Sequence, residues 1–182
     1  MDFAVSLKGV RFRYRGGEKE ALKGVDFQAR PGERAALIGL TGAGKSTLLK
    51  CVNRLVPASY NGDFEGGLEL FGQDASEKRP AELAEDVGIV FQDFESQLFS
   101  TTCELDVAFG PENLGLSTTE IKSRVAEALE AVGLEEFRLR DPATLSGGQK
   151  QRLAIATVLS LRPRILCLDE PVTDLDPEAR KE

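Results

Sequence analysis

Apolar and polar residues alternate near the start of the chain, and longer apolar runs follow further along. Residues 4–14 alternate with the period of a strand and end at a Gly-Gly pair, which predicts a first β-strand. Residues 21–30 include Leu22, Val25 and Phe27 and end at a Pro-Gly pair, which predicts a second. The short apolar run at 34–38 predicts a buried strand. Residues 46–52 have the apolar spacing of a helix that follows it.

The next stretch is broken by turn-forming residues. Residues 57–67 are predicted to form a loop, 67–72 a short strand and 77–85 a helix. Residues 86–92 form an apolar run with a polar end, which predicts a buried strand. The segment 104–109 is compatible with a helix that the following Gly-Pro pair stops.

Two capping-box spacings mark the starts of later helices. Ser117 with Glu120 opens a helix whose apolar positions recur until Gly133, and residues 134–139 predict a short helix or turn. Ser146 and the glutamine three residues later have the same spacing, which predicts the start of another helix.

The last apolar run, 164–169, ends in carboxylates and predicts a central parallel strand, with a further helix starting in 177–182. Strands that alternate with helices predict an α/β domain with a mainly parallel sheet.

Composition narrows the class of protein. The 182 residues are 41% hydrophobic and 29% charged, which is typical of one soluble globular domain. The net charge of −7 gives no support for nucleic-acid binding. Three widely spaced cysteines without a CxxC pair indicate buried, reduced thiols in a cytosolic protein. No signal peptide and no membrane-spanning run is visible, so a role at a membrane would require a partner.

One stretch fits the phosphate-binding pattern G-x-x-x-x-G-K-[ST], and it lies between the predicted strand and helix that this motif requires. Its residues are Gly39, Leu40, Thr41, Gly42, Ala43, Gly44, Lys45 and Ser46, with Thr47 next. The glycines let backbone N–H groups face a phosphate chain, and the helix presents its positive end there. Lys45 supplies a charge for the β- and γ-phosphates, and the Ser46 hydroxyl can bind Mg²⁺. The flanking elements favour this interpretation over a glycine-rich turn with an exposed lysine.

Polar side chains at strand ends are the candidates for the chemistry. Asp169 is placed to hold Mg²⁺ through water, and Glu170 to polarise an attacking water. Such a pair alone is more often a solvated strand end, but a phosphate loop about 120 residues upstream makes the combination specific. The Gln92 side-chain amide could contact the metal ion or the attacking water. The alternative is that Gln92 is a solvent-exposed residue at the end of its strand. Tyr14 can stack on adenine, or is a surface aromatic of the sheet.

A second anion site is predicted where the later helix begins. A serine and two glycines stand at that helix N-terminus, whose residues are Ser146, Gly147, Gly148 and Gln149. Because one nucleotide needs only one phosphate loop, this terminus would serve the nucleotide of a partner subunit. The alternative is a capped helix after a Gly-Gly turn.

These stretches together resemble one family. Residues 39–46 resemble the Walker A motif, 145–149 read LSGGQ like the ABC signature, and 165–170 resemble Walker B. Gln92 and Tyr14 match the family's Q-loop glutamine and adenine-stacking aromatic, and the Leu-Asp pair at 175–176 resembles its D-loop. The chain resembles the ATP-binding subunit of an ABC transporter. Residues 91–99 and 107–115 further resemble the energy-coupling-factor ATPases, which power uptake of vitamins or of cobalt and nickel ions.

The resemblance implies a fold and a domain organisation. It implies a P-loop NTPase core with a mainly parallel sheet, an N-terminal antiparallel β subdomain and an inserted α-helical signature subdomain. Residues 1–92 and 162–182 would form the nucleotide-binding core of a single domain, and about 93–161 the helical subdomain.

The resemblance also implies a mechanism and partners. Two ATPase subunits or domains would sandwich two molecules of ATP with Mg²⁺, each LSGGQ completing the opposite site. A transmembrane coupling protein, contacted by residues 92–109, and a substrate-binding membrane protein would be further partners. The location would be the cytoplasmic face of the cell membrane, as a peripheral protein.

One expected residue is missing from the sequence. The family's switch histidine follows the D-loop on another strand, and this chain has no histidine. In the family that strand lies between the Walker A and Walker B strands, so its absence would leave a gap in the core. We therefore expect these residues to be a truncated segment that is inactive by itself.

Two other functions are compatible with the motifs. A soluble ABC ATPase of the DNA-repair or translation class would carry long coiled-coil insertions or basic segments. Only about 50 residues separate the Q-loop glutamine from the signature here, without sustained heptads. For a non-hydrolysing nucleotide-binding module, the presence of Glu170 is evidence against and the expected truncation before the switch histidine is evidence in favour. The transport ATPase is therefore the favoured function, with its substrate left open.

Overall fold

The protein is described by a computed structural model that covers residues 3–170. The chain divides into two compact units, with the boundary between Val87 and Gly88, and each is described by itself. The predicted helix at 177–182 and the D-loop at 175–176 lie outside the described residues. No helix of the described part is long and apolar enough to cross a membrane.

The first unit is built on a four-stranded antiparallel sheet with the strand order β2-β1-β3-β4. Its strands are β1 (Val5–Tyr14), β2 (Leu22–Ala29), β3 (Gly62–Leu70) and β4 (Gln73–Asp74). The two strands predicted at the N-terminus are confirmed. Their buried residues, among them Leu7 and Phe12, form the core face of the sheet.

The loop predicted at 57–67 is wrong, because β3 already begins at Gly62. Gly62 and Gly66 of this stretch lie where a side chain would clash with the neighbouring strand. Gly66 has φ +100°, and a Cβ there would lie 2.7 Å from the Lys8 carbonyl oxygen, opposite a register shift in β1. Glycine at a β-bulge is thus easily mistaken for glycine in a loop.

The remaining elements of this unit are short. Helix α1 (Lys45–Val52) confirms the predicted helix, and a helical turn, α2 (Leu55–Ala58), follows it. The helix predicted at 77–85 is wrong, since only the 3₁₀ turn Pro80–Leu83 forms.

The buried strand predicted at 34–38 is also wrong in this structure. Residues 34–38 have no regular secondary structure, and Ile38 is 95% exposed. Within residues 3–170 they make no backbone hydrogen bond. A strand needs lateral partners for its N–H and C=O groups, and the described residues provide none.

Arg54 combines two unfavourable features. Its backbone is left-handed, with φ 62°, and its buried guanidinium has Nε and Nη1 without a hydrogen-bond partner among the described residues. A left-handed backbone strains any residue that has a Cβ, whereas glycine adopts it freely.

We therefore expect Arg54→Gly to be more stable than Arg54→Ala by about 1 kcal/mol, because both remove the same guanidinium but only alanine keeps the strained Cβ. Urea denaturation of the two variants measures this difference. Equal midpoints, or a more stable alanine variant, would show that the backbone strain at this position is negligible.

The second unit combines a two-stranded parallel sheet with a helical cluster. The strands are β5 (Val87–Val90) and β6 (Ile165–Leu168), which confirms both predicted strands. In the described residues β6 has β5 as its neighbour, so its predicted central place in a larger sheet is not seen. The helices are α3 (Cys103–Asn113), α4 (Thr118–Ala131) and α5 (Gly147–Leu159), joined by the 3₁₀ turns Glu135–Phe137 and Pro142–Thr144. They pack around buried Val107, Leu129 and Leu153.

Helix α3 continues through the Gly-Pro pair that was predicted to stop it. Pro111 has no N–H to donate to Val107, four residues earlier. The Val107 carbonyl instead accepts a hydrogen bond from the Ser160 hydroxyl at 2.8 Å. Gly110 lacks a side chain where a Cβ would lie 2.7 Å from a Leu161 methyl carbon. Tertiary contacts therefore compensate for the two residues that disfavour the helix.

The predicted helix starts are confirmed by their caps. The Ser117 hydroxyl accepts from the Glu120 N–H at 3.3 Å, and the equivalent bond at α5 has the same length. Gly133, with φ 64°, follows α4 where the pattern predicts its end. The predicted short helix at 134–139 is the 3₁₀ turn Glu135–Phe137.

The cysteines are buried and reduced, as predicted. Burial raises the pKa of the Cys51 thiol to about 12 and that of Cys167 to about 11. Both thiols are therefore protonated at neutral pH and inert in the folded chain.

Candidate functional site

The glycine-rich loop before α1 is shaped by its glycines. Gly44 caps α1 with φ 94°, and its carbonyl accepts from the Leu48 N–H at 2.8 Å. A Cβ at Gly44 would clash with the Ala21 carbonyl oxygen, whereas one at Gly42 would meet open space. Only glycine at position 44 lets the loop lie this close to the sheet. The loop therefore brings backbone N–H groups and a helix N-terminus to one place, as phosphate binding requires.

Lys45 lies at the start of α1 with its ammonium turned back into the loop. Its Nζ donates to the carbonyl oxygens of Gly39 and Leu40, at 3.1 and 3.2 Å. The Ala43 N–H donates to the Leu40 carbonyl at 3.1 Å. An anion in front of α1 would face the Lys45 ammonium and the first N–H groups of the helix, and α1 has no acidic residue in its first turn. This donor set fits a phosphate chain.

Tyr14 lies at the end of β1, and its ring is held from three sides. The hydroxyl shares a hydrogen bond of 3.0 Å with the Thr47 hydroxyl on α1. The rings of Phe12 and Tyr60 contact it edge-on, at centroid distances of 4.7 and 6.4 Å. Beside the ring lies a cavity of about 430 Å³, lined by residues 13–17 and 61–63. The first unit thus brings Tyr14 and Thr47 together next to a cavity of ligand size.

Gln92 and the carboxylates follow the two strands of the second unit. Gln92 comes two residues after β5 ends, and Asp169 directly follows β6. The Asp169 N–H donates to the Val90 carbonyl at 2.9 Å, and the residue is buried. Glu170 has a left-handed backbone with φ 53°, an unfavoured conformation of the kind found at functional sites. Because parallel strands share a carboxyl edge, the geometry places these polar residues at one edge of the sheet.

The N-terminus of α5 is exposed and doubly capped. Ser146 accepts from the Gln149 N–H, and its own N–H donates to the Gln149 side-chain oxygen at 2.9 Å. Ser146 and Gly147 are exposed, and a Cβ at Gly147 would meet nothing within 4 Å. Gly148 follows within the first turn. The terminus therefore has room for a ligand in front of it.

Two residues that support this region were missed by the sequence interpretation. The Gln97 amide accepts from the Phe91 N–H at 2.9 Å and donates to the Ile89 carbonyl at 3.4 Å, which fixes the chain just before Gln92. The Lys150 ammonium pairs with Glu95 at 3.1 Å and so ties α5 to the segment after β5. The position of Lys150 directly after the capping glutamine could have identified it from the sequence. Nothing in the local sequence pattern identifies Gln97.

The predicted site residues are divided between the units. Tyr14 and residues 39–47 belong to the first unit, and Gln92, Asp169 and the α5 terminus belong to the second. No cluster of three or more His, Cys, Asp or Glu is found in residues 3–170. A metal site here would therefore need hydroxyl or amide oxygens beside a carboxylate.

Comparisons with known proteins relate these features to other chains. The family model described as ABC transporter matches residues 22–173. The chain is 45% identical over 177 residues to a putative ABC transporter ATP-binding protein of Caldanaerobacter subterraneus, covering 97% of this chain and 31% of that protein. It is 42% identical over 177 residues to the energy-coupling factor transporter ATP-binding protein EcfA1 of Ligilactobacillus salivarius, covering 97% and 61%. It thus spans less than two thirds of the length of these curated relatives.

Two solved structures resemble the fold closely. One is cbiO1 from Clostridium perfringens, part of the ABC transporter complex cbiONQ, with a TM-score of 0.84 and 36% identity over all of this chain and 70% of that one. The other is a dimeric post-hydrolysis state of an ATP-binding cassette bound to ADP and Pi. Its TM-score is 0.82 at 29% identity, over 97% of this chain and 78% of that one.

Proposed function

Because the chain belongs to the ABC transporter family of ATP-binding domains, we propose that it binds and hydrolyses ATP to power transport across a membrane. The observation that carries this proposal is the loop before α1. Its glycine conformations, helix N-terminus and inward-turned Lys45 ammonium form a donor set suited to a triphosphate. Residues 39–47 and Tyr14 would bind the nucleotide.

Mg²⁺ would be held by oxygen ligands. Ser46, Gln92 and Asp169 offer a hydroxyl, an amide and a carboxylate oxygen, the hard ligands that this ion prefers. When bound, the ion neutralises charge on the phosphate oxygens. Glu170 would orient a water molecule and accept its proton, with Gln92 and Lys45 as the other catalytic side chains.

A second ATPase domain would complete the site. Ser146, Gly147, Gly148 and Gln149 would bind the nucleotide of the opposite domain with their N–H groups and hydroxyl. The open space in front of Gly147 supports this, and a related cassette is dimeric in its ADP-bound and Pi-bound state. In the simplest arrangement the second domain is another copy of this chain, related by two-fold symmetry.

The transport system would be of the energy-coupling-factor type, importing a vitamin or a transition-metal ion. Similarity to EcfA1 and to cbiO1 supports this class. A transmembrane coupling protein would dock on the second unit, with a substrate-binding membrane protein beside it. An exposed aromatic pair supports such docking: Phe99 and Phe109 are 63% and 48% exposed, with ring centroids 4.7 Å apart. The protein would then lie peripherally on the cytoplasmic face of the membrane.

The domain organisation follows the same proposal. Residues 1–92 and 162–182 would form the nucleotide-binding core, and about 93–161 the helical subdomain that carries the signature. The packing of α3, α4 and α5 around a core of their own supports a separate helical part.

Lys45→Met in the full-length protein tests the proposal. Methionine keeps the aliphatic length but removes the ammonium, so we expect Mg²⁺-dependent phosphate release from ATP to fall at least about a hundred-fold. Release is measured with and without Mg²⁺. Lys122→Met, at an exposed position of α4, is the matched control for a lost charge and should retain most of the activity. No ATP binding by the unmodified protein, or equal release by both variants, would contradict the proposal.

A further inference from the structure

The cavity beside Tyr14 is coupled to the phosphate loop by one face of α1. Thr47 and Lys50 are three residues apart on this helix, so their side chains share a face. Thr47 bonds the Tyr14 hydroxyl at 3.0 Å, and the Lys50 ammonium lies 4.4 Å from the centroid of the Tyr60 ring. The helix that begins at the phosphate loop therefore contacts both rings.

Tyr60 is itself fixed by the backbone around it. Its N–H donates to the Leu55 carbonyl at 3.1 Å, and the next residue, Asn61, accepts from the Arg15 N–H at 2.9 Å. Tyr14 lies opposite Gly62 in the pairing of β1 with β3. The backbone that carries the Tyr60 ring is thus tied to this end of the sheet.

The ring contact restricts Tyr14 before any ligand arrives. The two tyrosine rings are nearly perpendicular, at 83°, in the edge-to-face arrangement that aromatic pairs favour. Lys50 over the second ring adds a cation–π contact. An aromatic wall that is already ordered loses little conformational entropy when a flat ligand stacks on it.

We propose that Tyr60, backed by Lys50, is a positioning residue that holds the Tyr14 ring for the nucleobase, so that the chain binds base-bearing triphosphates more tightly than bare triphosphate. This inference rests on the proposed function. It assigns to Tyr60 and Lys50 a role in recognition of the base, which enters the 430 Å³ cavity, while residues 39–46 hold the phosphates.

Tyr60→Ala, with Tyr60→Phe as the matched control, tests this role in the full-length protein. ATP and inorganic tripolyphosphate are the probes, each titrated calorimetrically with Mg²⁺. Loss of one aromatic contact predicts that Tyr60→Ala weakens ATP binding about three- to ten-fold and leaves tripolyphosphate binding unchanged. Tyr60→Phe keeps the ring and should bind both like the unmodified protein, and Lys50→Met should have an intermediate effect on ATP alone.

The two probes separate the possible outcomes. Unchanged ATP affinity in Tyr60→Ala would overturn the positioning role. An equal loss for ATP and tripolyphosphate would also overturn it, because the residue would then support the phosphate loop. If the unmodified protein binds neither probe, the proposed function itself fails, and the role of Tyr60 fails with it.

Discussion

Glu170→Gln is expected to reduce ATP turnover about 10²- to 10⁴-fold in the full-length protein while ATP affinity stays within a few-fold of the original. The amide keeps the shape of the side chain but cannot accept a proton from water. Both residues have a Cβ, so the left-handed backbone at this position, φ 53°, is strained equally in each. Phosphate release and equilibrium binding of ATP, measured in parallel, separate the two effects.

Glu85→Gln provides the control for a lost carboxylate. Glu85 is exposed in the first unit, and its replacement should leave turnover unchanged. Turnover by Glu170→Gln that matches this control would show that another group activates the water.

Gly147→Glu is expected to abolish turnover, with a loss of at least about a hundred-fold, while the variant remains folded. A Cβ at this position meets nothing within 4 Å, and a carboxylate in the first turn of α5 suits the helix dipole. The local structure should therefore tolerate the change. The same carboxylate would face the phosphates of the nucleotide in the opposite domain and repel them.

Gly147→Gln, the neutral counterpart, distinguishes charge from size. We expect it to retain more activity than the glutamate variant, with both showing the same thermal midpoint within a few degrees. Full turnover by Gly147→Glu would show that the N-terminus of α5 is not part of the catalytic site.

Patterns among residues close in the sequence correctly predict much of the fold. The helix caps at Ser117 and Ser146 and the alternating N-terminal strands are encoded by residues close in sequence, and the P-loop NTPase fold with its antiparallel N-terminal sheet is confirmed. The predictions of secondary structure are wrong where the local conformation depends on residues distant in the sequence. The bulge at Gly66 depends on β1, and the passage of α3 through Pro111 depends on Ser160.

The strand predicted at 34–38 is a further case in which the local sequence pattern is not sufficient. Its apolar sequence is suitable for a buried strand, yet the described residues contain no lateral partner and Ile38 is exposed. Among the site residues, those of the phosphate loop are predicted from the sequence because they form one contiguous motif. Tyr60, Lys50 and Gln97 contact residues of other elements, so no spacing in the sequence identifies them.

Mixing two inactive full-length variants tests the central claim most directly, namely that each nucleotide lies between the phosphate loop of one domain and the LSGGQ terminus of another. Lys45→Met damages only the first of these and Gly147→Glu only the second. If two copies pair at random, half of the dimers are mixed and each mixed dimer has one intact site of two, so about a quarter of the original ATP turnover should return. A mixture no more active than the separate variants would contradict the account.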